Sequence, residues 1–161
     1  MPQKIKMHEG YFGPQRFFQP VKEAPKGTTL PRRGSKCSAG YDFYAAEEIY
    51  CPAHGMSKLS FTNIKVYMPD NEYLAVMIRS SLAVKHGLQV AQGVAIIDAD
   101  YYSNADNDGN IGIAIVNNSD KDYVIQKGER FCQGVFQRYE VTFNDTADGI
   151  RGGGYGSSGK F

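Results

Sequence analysis

The sequence lacks an excess of charge of either sign: its 161 residues include 18 lysines and arginines and 17 aspartates and glutamates, a formal net charge of +1. No overall field therefore draws the chain to nucleic acid or to an anionic membrane, and any anion must be bound locally. No stretch approaches the about 20 consecutive apolar residues of a membrane-spanning helix, and the N-terminal sequence MPQKIKMHEGYFGPQ lacks the apolar segment of a signal peptide. We expect a soluble protein of the cytoplasm that binds neither nucleic acid nor membrane.

Cysteine and histidine are also scarce. Cys37, Cys51 and Cys132 are odd in number and widely spaced, and the three histidines show no spacing typical of zinc ligands. This composition favours reduced thiols in the cytoplasm over a disulfide framework or a zinc site.

No long segment has the 3.6-residue periodicity of an amphipathic helix, and this absence favours an all-β fold. Short segments rich in β-branched and aromatic residues alternate with turn sequences, which predicts a jelly-roll β-barrel of antiparallel strands. One short helix is expected at SSLAVKHG, with Ser80 or Ser81 as its N-cap and Gly87 at its end. The segments predicted to contain strands are KLSFTNIKVYM (58–68), EYLAVMIRSS (72–81), GLQVAQGVAIID (87–98), NIGIAIVNNS (110–119) and ERFCQGVFQRYEV (129–141).

The length is that of a single domain, and no internal repeat or linker divides it. Residues 1–30 contain four of the seven prolines and are expected to form an extended lead-in to a domain at 31–145. Residues 146–161 form a flexible C-terminal arm that ends in RGGGYGSSGKF. This glycine-rich end is typical of a disordered terminus, but its arginine, tyrosine and lysine also fit a flap that closes on an anion.

Two stretches place polar side chains in unusual surroundings. Asp42 lies among apolar and aromatic residues in SAGYDFYAAEE, so its carboxylate must be hydrogen-bonded, either in a functional site or as a turn cap. Arg79, Ser80 and Ser81 meet at the predicted start of the helix, where a guanidinium, two hydroxyls and free N–H groups suit a phosphate. A plain N-cap beside a surface arginine is the alternative.

Two further stretches carry candidate acids and bases. Asp98 and Asp100 follow an apolar run and could hold or deprotonate a water, bind a metal ion or open a solvated hairpin. Asp106 and Asp108 are expected in a solvated loop. In KGERFCQGVFQRY, the alternation of a strand places Arg130 and Gln133 on different faces, whereas Gln137 and Arg138 are typical exposed strand residues.

In their order and spacing, these stretches and the arm resemble the five motifs of the trimeric dUTPase family, in particular of members from Gram-positive bacteria or their phages. The motifs are AGYD (39–42), RSS (79–81), IIDADY (96–101), GERFCQ (128–133) and RGGGYGSSG (151–159).

The resemblance implies a homotrimer of jelly-roll subunits that hydrolyses dUTP to dUMP and pyrophosphate, which provides dUMP for dTMP synthesis and keeps uracil out of DNA. Each of the three sites would combine residues of all three subunits, and the arm would arrive from a different chain. Mg²⁺ would be held by the substrate phosphates without a direct protein ligand, with Asp42 reaching it through a metal-bound water.

The resemblance also implies roles for individual residues. Asp98 would be the base that activates the attacking water, and Tyr101 would lie under the deoxyribose and exclude a 2′-hydroxyl. Asp42 and Arg130 would order the site. The substrate phosphates would be held by Arg79, Ser80, Ser81, Gln133, Arg151, Gly156, Ser157 and Ser158, and the uracil would meet the 92–98 hairpin, including Gln92 and Ile97, and the ring of Tyr155.

The chain departs from the family pattern at four places. Ala95 and Ser81 stand where glycine is usual or frequent, and Gln92 stands where some members have an asparagine near the base. Residues 102–108 (YSNADND) form an insertion similar to one in dUTPases of Gram-positive bacteria and their phages, and the resemblance gives it no role.

Two other functions use the same fold. A dCTP deaminase needs a glutamate on the strand after the third motif, and the stretch IGIAIVNN contains none. A regulatory binding protein of the phage type is the second alternative. Asp98 and Tyr101 argue against a purely non-catalytic protein, and an additional regulatory partner stays open.

Overall fold

The computed structural model describes residues 15–151 and 153–154, which are mostly β-strand. One α-helix, α1 (Ser80–His86), and one 3-10 turn (Ala99–Tyr101) interrupt the strands. The strands are β1 (Phe17–Pro20), β2 (Arg32–Arg33), β3 (Tyr41–Tyr44), β4 (Ile49–Cys51), β5 (Gly55–Met56), β6 (Ser60–Phe61), β7 (Ile64–Tyr67), β8 (Glu72–Ile78), β9 (Leu88–Val90), β10 (Ala95–Asp98), β11 (Gly112–Ile113), β12 (Ile115–Asn117), β13 (Tyr123–Ile125) and β14 (Arg130–Arg138).

All strand pairs are antiparallel. The largest sheet has the order β10-β8-β14-β3-β2, and four smaller sheets have the orders β5-β12-β9, β1-β7, β11-β6 and β13-β4. These sheets enclose one core in the arrangement of a jelly roll, which confirms the predicted all-β fold. No helix of the described ranges is long and apolar enough to cross a membrane.

The core lies between the inner faces of these sheets. Its side chains alternate with exposed ones along the strands, as in β4, where Tyr50 is exposed between buried Ile49 and Cys51. Burial of a side chain of this size contributes roughly 1.5–3 kcal/mol to folding. The largest buried apolar side chains are Phe43, Ile64, Val66, Met68, Leu74, Leu88, Ile111, Ile113, Ile115, Ile125 and Phe131.

Helix α1 follows β8 directly, as the sequence predicts, but its N-cap differs from the prediction. Arg79 is the N-cap residue and no side chain caps the helix, because Ser80 and Ser81 are already its first two residues. The backbone N–H of Arg79 donates to Phe131 O at 2.9 Å, which holds Arg79 in an extended conformation at the end of the sheet. The predicted end of α1 is confirmed, since Gly87 has φ = 66°.

Part of the expected N-terminal lead-in belongs to the body of the protein. β1 pairs with β7 along its whole length, and Phe18 packs against the core. Val21 is 7% exposed. The sequence does not reveal this strand because FFQP is short and lies between prolines.

Candidate active site

A pocket with a cavity volume of about 190 Å³ lies where β10 ends and the 3-10 turn begins. Asp98 is the last residue of β10, and Tyr101 closes the turn with a ring that is almost completely buried. β10 pairs with β8, which fixes Asp98 opposite Tyr73. The lining residues are Gln92, Ala95, Ile96, Ile97, Asp98, Tyr101, Gly112, Arg151 and Gly154.

The carboxylates at this pocket are held by one arginine of the C-terminal arm. Arg151 donates from Nη2 to Asp98 Oδ2, and its Nε donates to Asp100 Oδ1 at 2.7 Å. Among the hydrogen bonds of the described residues, none involves Asp98 Oδ1. We call Asp98, Asp100 and Arg151 the acidic cluster, because two carboxylates share one guanidinium.

The arm backbone lies directly on the ring of Tyr101. A Cβ atom added to Gly154 would stand 2.6 Å from Tyr101 Cε2, which is too close for any side chain. Glycine at this position therefore permits the contact. The predictions for Tyr155, Gly156, Ser157 and Ser158 fall outside the described residues.

A second group surrounds Asp42 on β3. Asp42 Oδ1 lies 3.2 Å from Arg79 Nε, and Asp42 Oδ2 accepts a hydrogen bond from Arg130 Nη1 at 3.1 Å. The side chain of Asp42 is 13% exposed, so the two guanidiniums provide the partners that its burial requires. We call Asp42, Arg79 and Arg130 the basic cluster.

A β-bulge places Arg130 in this cluster. Strand alternation predicts Arg130 and Gln133 on different faces, but this prediction is wrong. The pairing of β14 with β3 shifts between Arg130 and Cys132, so that Arg130 pairs with Tyr44 while Gln133 pairs with Asp42. Because Tyr44 and Asp42 are two residues apart, Arg130 and Gln133 lie on one face.

The two clusters lie at opposite ends of β8. Asp98 pairs with Tyr73 near the start of this strand, and Arg79 follows Ile78 at its end. Six residues at about 3.3 Å each separate Tyr73 from Arg79 by about 20 Å. A single chain thus brings Gln92, Ile97, Asp98, Tyr101 and Arg151 together, and separately Asp42, Arg79, Arg130 and Gln133 with the nearby Ser80 and Ser81, but it does not join the two groups.

The expectation for Asp108 is wrong, although Asp106 is exposed as expected. Asp108 accepts hydrogen bonds from Lys65 Nζ at 2.9 Å and from the Lys22 backbone N–H at 2.8 Å. Burial alone would raise the pKa of Asp108, but the hydrogen bonds from Lys65 and Lys22 outweigh it and hold that pKa below the usual value. The sequence signal that was missed is Lys65 itself, a lysine inside the apolar strand IKVY.

The residues that carry these two clusters fall within a known family. The dUTPase family model matches residues 26–159 of the chain. The chain belongs to the dUTPase family. It is 41% identical over 142 residues to the deoxyuridine 5′-triphosphate nucleotidohydrolase of Debaryomyces hansenii, an alignment that covers 84% of the chain and 83% of that relative.

Solved structures of dUTPases have the same fold. The crystal structure of dUTPase from Streptococcus mutans is 35% identical, with a TM-score of 0.71, and the match covers 78% of the chain and 97% of that structure. A dUTPase from phage phi11 of S. aureus, described as coordinating a structural Mg(II) ion, is 19% identical with a TM-score of 0.66 and covers 84% and 98%. At this identity, the phage protein shares the fold alone.

The described residues fit a magnesium ion only in a particular way. They contain no group of three metal-ligating side chains, and Asp42, Asp98 and Asp100 are all ion-paired to arginine. Mg²⁺ keeps several waters and binds readily to substrate phosphates. The donor set therefore fits an ion carried by a triphosphate and not one held in a protein cage.

Proposed function

We propose that this chain is a dUTP diphosphatase, which hydrolyses dUTP to dUMP and pyrophosphate. The observation that carries the proposal is the position of Asp98 at the mouth of a pocket whose wall is the buried ring of Tyr101. Membership of the dUTPase family supports it. The deaminase alternative is not favoured, because Gly112–Ile113 and Ile115–Asn117, the strands after this pocket, carry no glutamate.

Asp98 acts as the general base in this proposal. Its Oδ1 atom accepts a proton from a water whose oxygen attacks the α-phosphorus, while the bond from that phosphorus to the bridging oxygen breaks and pyrophosphate leaves. A well-placed base of this kind contributes roughly 10²- to 10⁴-fold in rate. Asp100 lies farther out, on the other side of Arg151, and is assigned no part in proton transfer.

Tyr101 determines the sugar, and the β9–β10 hairpin determines the base. The buried ring leaves no space for a 2′-hydroxyl on a sugar that lies against it. In the hairpin, Gly93 N–H donates to Val90 O at 2.7 Å, which forms a tight turn next to Gln92. Backbone groups of this turn and of Ile97 then face the uracil edge.

The basic cluster binds the phosphates. Arg79 and Arg130 share one carboxylate, so the cluster keeps a net charge of +1 beside the serines that begin α1 and beside Gln133. Guanidinium groups form strong, directional hydrogen bonds to phosphate. With substrate bound, Arg151 moves from Asp98 to a phosphate, and the arm covers the nucleotide.

A homotrimer with shared sites follows from the separation of the two clusters. A triphosphate that touches Asp98 cannot reach Arg79 of the same chain across about 20 Å of β8. In a cyclic trimer the acidic cluster of one chain meets the basic cluster of its neighbour.

Magnesium and the cytoplasm complete the proposal. A bound Mg²⁺ would neutralise charge on the phosphates, and the residues near it would be those of the basic cluster. Asp42 is already held by two guanidiniums, so it orders the cluster and reaches the ion at most through water. The free thiols of Cys37, Cys51 and Cys132 support a reducing compartment.

The test is pyrophosphate release from dUTP, UTP, dCTP and dTTP, measured side by side with magnesium present. We expect hydrolysis of dUTP and little release from the other three. Ammonia from dCTP would replace this proposal by deamination, and no turnover of any of the four would contradict it.

A further inference from the structure

The insertion at residues 102–108 is folded against the hydroxyl of Tyr101. Asn107 Nδ2 donates to Tyr101 Oη at 2.7 Å, and Tyr101 Oη donates in turn to Asn110 O at 3.0 Å. The hydroxyl at the far end of the ring is therefore held from both sides. The insertion supplies the only side chain, among the described residues, that hydrogen-bonds this hydroxyl.

Asn107 is itself fixed by the loop. Its Oδ1 atom accepts hydrogen bonds from Gly109 N–H at 3.1 Å and from Asn104 Nδ2 at 3.0 Å. Asn104 is 8% exposed and also donates to Tyr101 O at 2.9 Å. The amide of Asn107 thus has one orientation, with its NH₂ group toward the ring.

The loop is also attached to the body of the protein. Lys65 Nζ donates to Ser103 Oγ and to Asp108 Oδ1, both at 2.9 Å, and the side chain of Lys65 is 8% exposed. On the other side, Tyr102 Oη donates to Gln19 Oε1 at 2.6 Å. A loop with such attachments on β1 and β7 can transmit a fixed position to the ring.

We propose that Asn107 is a positioning residue for Tyr101, so that the insertion sets how strictly the site discriminates deoxyribose from ribose. This inference rests on the proposed function, in which Tyr101 excludes the 2′-hydroxyl. A ring excludes one additional oxygen only if it cannot yield, and displacements of about 1 Å are enough to change rates strongly. The hydrogen bond from Asn107 opposes such a displacement.

The test is the ratio of kcat/KM for dUTP to kcat/KM for UTP in Asn107→Ala. We expect this ratio to fall about 5- to 10-fold, the effect of one lost hydrogen bond, mainly because UTP becomes a better substrate relative to dUTP. Asp106→Ala is the matched control, because its exposed side chain lies in the same loop and makes no contact with Tyr101. The control should keep the wild-type ratio.

Tyr101→Phe separates positioning from a general loosening of the loop. It removes the hydroxyl, keeps the ring, and leaves Asn107 Nδ2 its second acceptor, Asn110 O, at 3.3 Å. We expect Tyr101→Phe to lower the ratio as Asn107→Ala does, and the double variant to be no worse than Tyr101→Phe. An unchanged ratio in either single variant, or equal losses from Asn107→Ala in both backgrounds, would overturn the proposal. A wild-type protein without dUTP turnover would instead contradict the proposed function.

Discussion

The acidic and the basic cluster have opposite compositions. At one end of β8, one aspartate lies between two arginines, and at the other end one arginine lies between two aspartates. The arginines of the basic cluster come from the end of β8 and from β14, whereas Arg151 belongs to the arm. One cluster is therefore built into the sheet, and the other includes a residue that can leave.

This difference explains why neither cluster is a complete site. The basic cluster attracts a triphosphate but has no free carboxylate to activate a water. The acidic cluster has the carboxylate, but its net negative charge repels phosphates unless cations accompany them. A nucleotide that bridges two chains would satisfy both.

The largest effect on turnover is expected from removing the base. Asp98→Asn keeps the shape of the side chain but cannot accept the proton of the water, so kcat should fall roughly 100-fold or more while nucleotide binding stays. Steady-state kinetics and dUTP-analogue binding by calorimetry measure the two quantities.

Asp100→Asn is the matched control, since Asp100 shares Arg151 with Asp98 but has no assigned role in proton transfer. It should change kcat only a few-fold. Near-normal turnover in Asp98→Asn, or equal losses in both variants, would remove Asp98 as the base.

The next largest effect is a recovery of activity in mixed trimers. Asp98→Ala damages the acidic cluster and Arg79→Ala the basic cluster, so each variant alone should be nearly inactive. If each site joins two chains, random trimers of the two variants contain intact sites at roughly a quarter of the wild-type number. Co-expression with two different affinity tags and tandem purification gives the trimers to assay.

A site within one chain predicts the opposite result. Every chain of the mixture then carries a damaged site, and verified mixed trimers stay as inactive as their parents. Mixing two preparations of the same variant under the same conditions is the control, and it should restore nothing.

Sequence reasoning identified the members of both clusters but not their arrangement. The apolar surroundings of Asp42 correctly required partners, yet they did not name Arg79 and Arg130. The alternation rule failed at Arg130 because a bulge adds one residue that no local pattern announces. The separation of the clusters along β8 depends on strand register, which the sequence does not give.

Two further errors came from reading polarity as exposure. Asp108 lies in a polar loop sequence, but it is anchored by Lys65, whose burial in β7 could have been suspected from its apolar neighbours. Ser80 and Ser81 have the right chemistry for an N-cap, but the bond from Arg79 N–H to Phe131 O starts the helix one residue earlier. In both cases a tertiary contact overrode the local pattern.

The smallest effect on turnover is expected at Glu72, which is also a carboxylate beside two arginines but faces away from the pocket. Glu72 is 2% exposed, pairs with Arg16 and lies 3.7 Å from Arg138 Nε. Glu72→Gln should lower the free energy of unfolding by about 2 kcal/mol and leave kcat unchanged, whereas Asp42→Asn should lower both. Equal losses of kcat in the two variants would erase the distinction between a structural and a substrate-binding cluster.

The pH dependence of the free energy of unfolding distinguishes the charge of Glu72 from its shape. The hydrogen bond from Arg16 holds the pKa of Glu72 below its usual value, even though burial acts in the opposite direction. A lowered pKa in the folded state stabilises the protein above the unfolded value of about 4.3, and this stabilisation is lost as the pH falls through the folded pKa. The difference in the free energy of unfolding between wild type and Glu72→Gln should therefore be constant from pH 7 to 5 and shrink below pH 4, as measured by urea unfolding at fixed protein concentration. A difference that persists unchanged at pH 3 would mean that packing, and not the ion pair with Arg16, makes Glu72 stabilising.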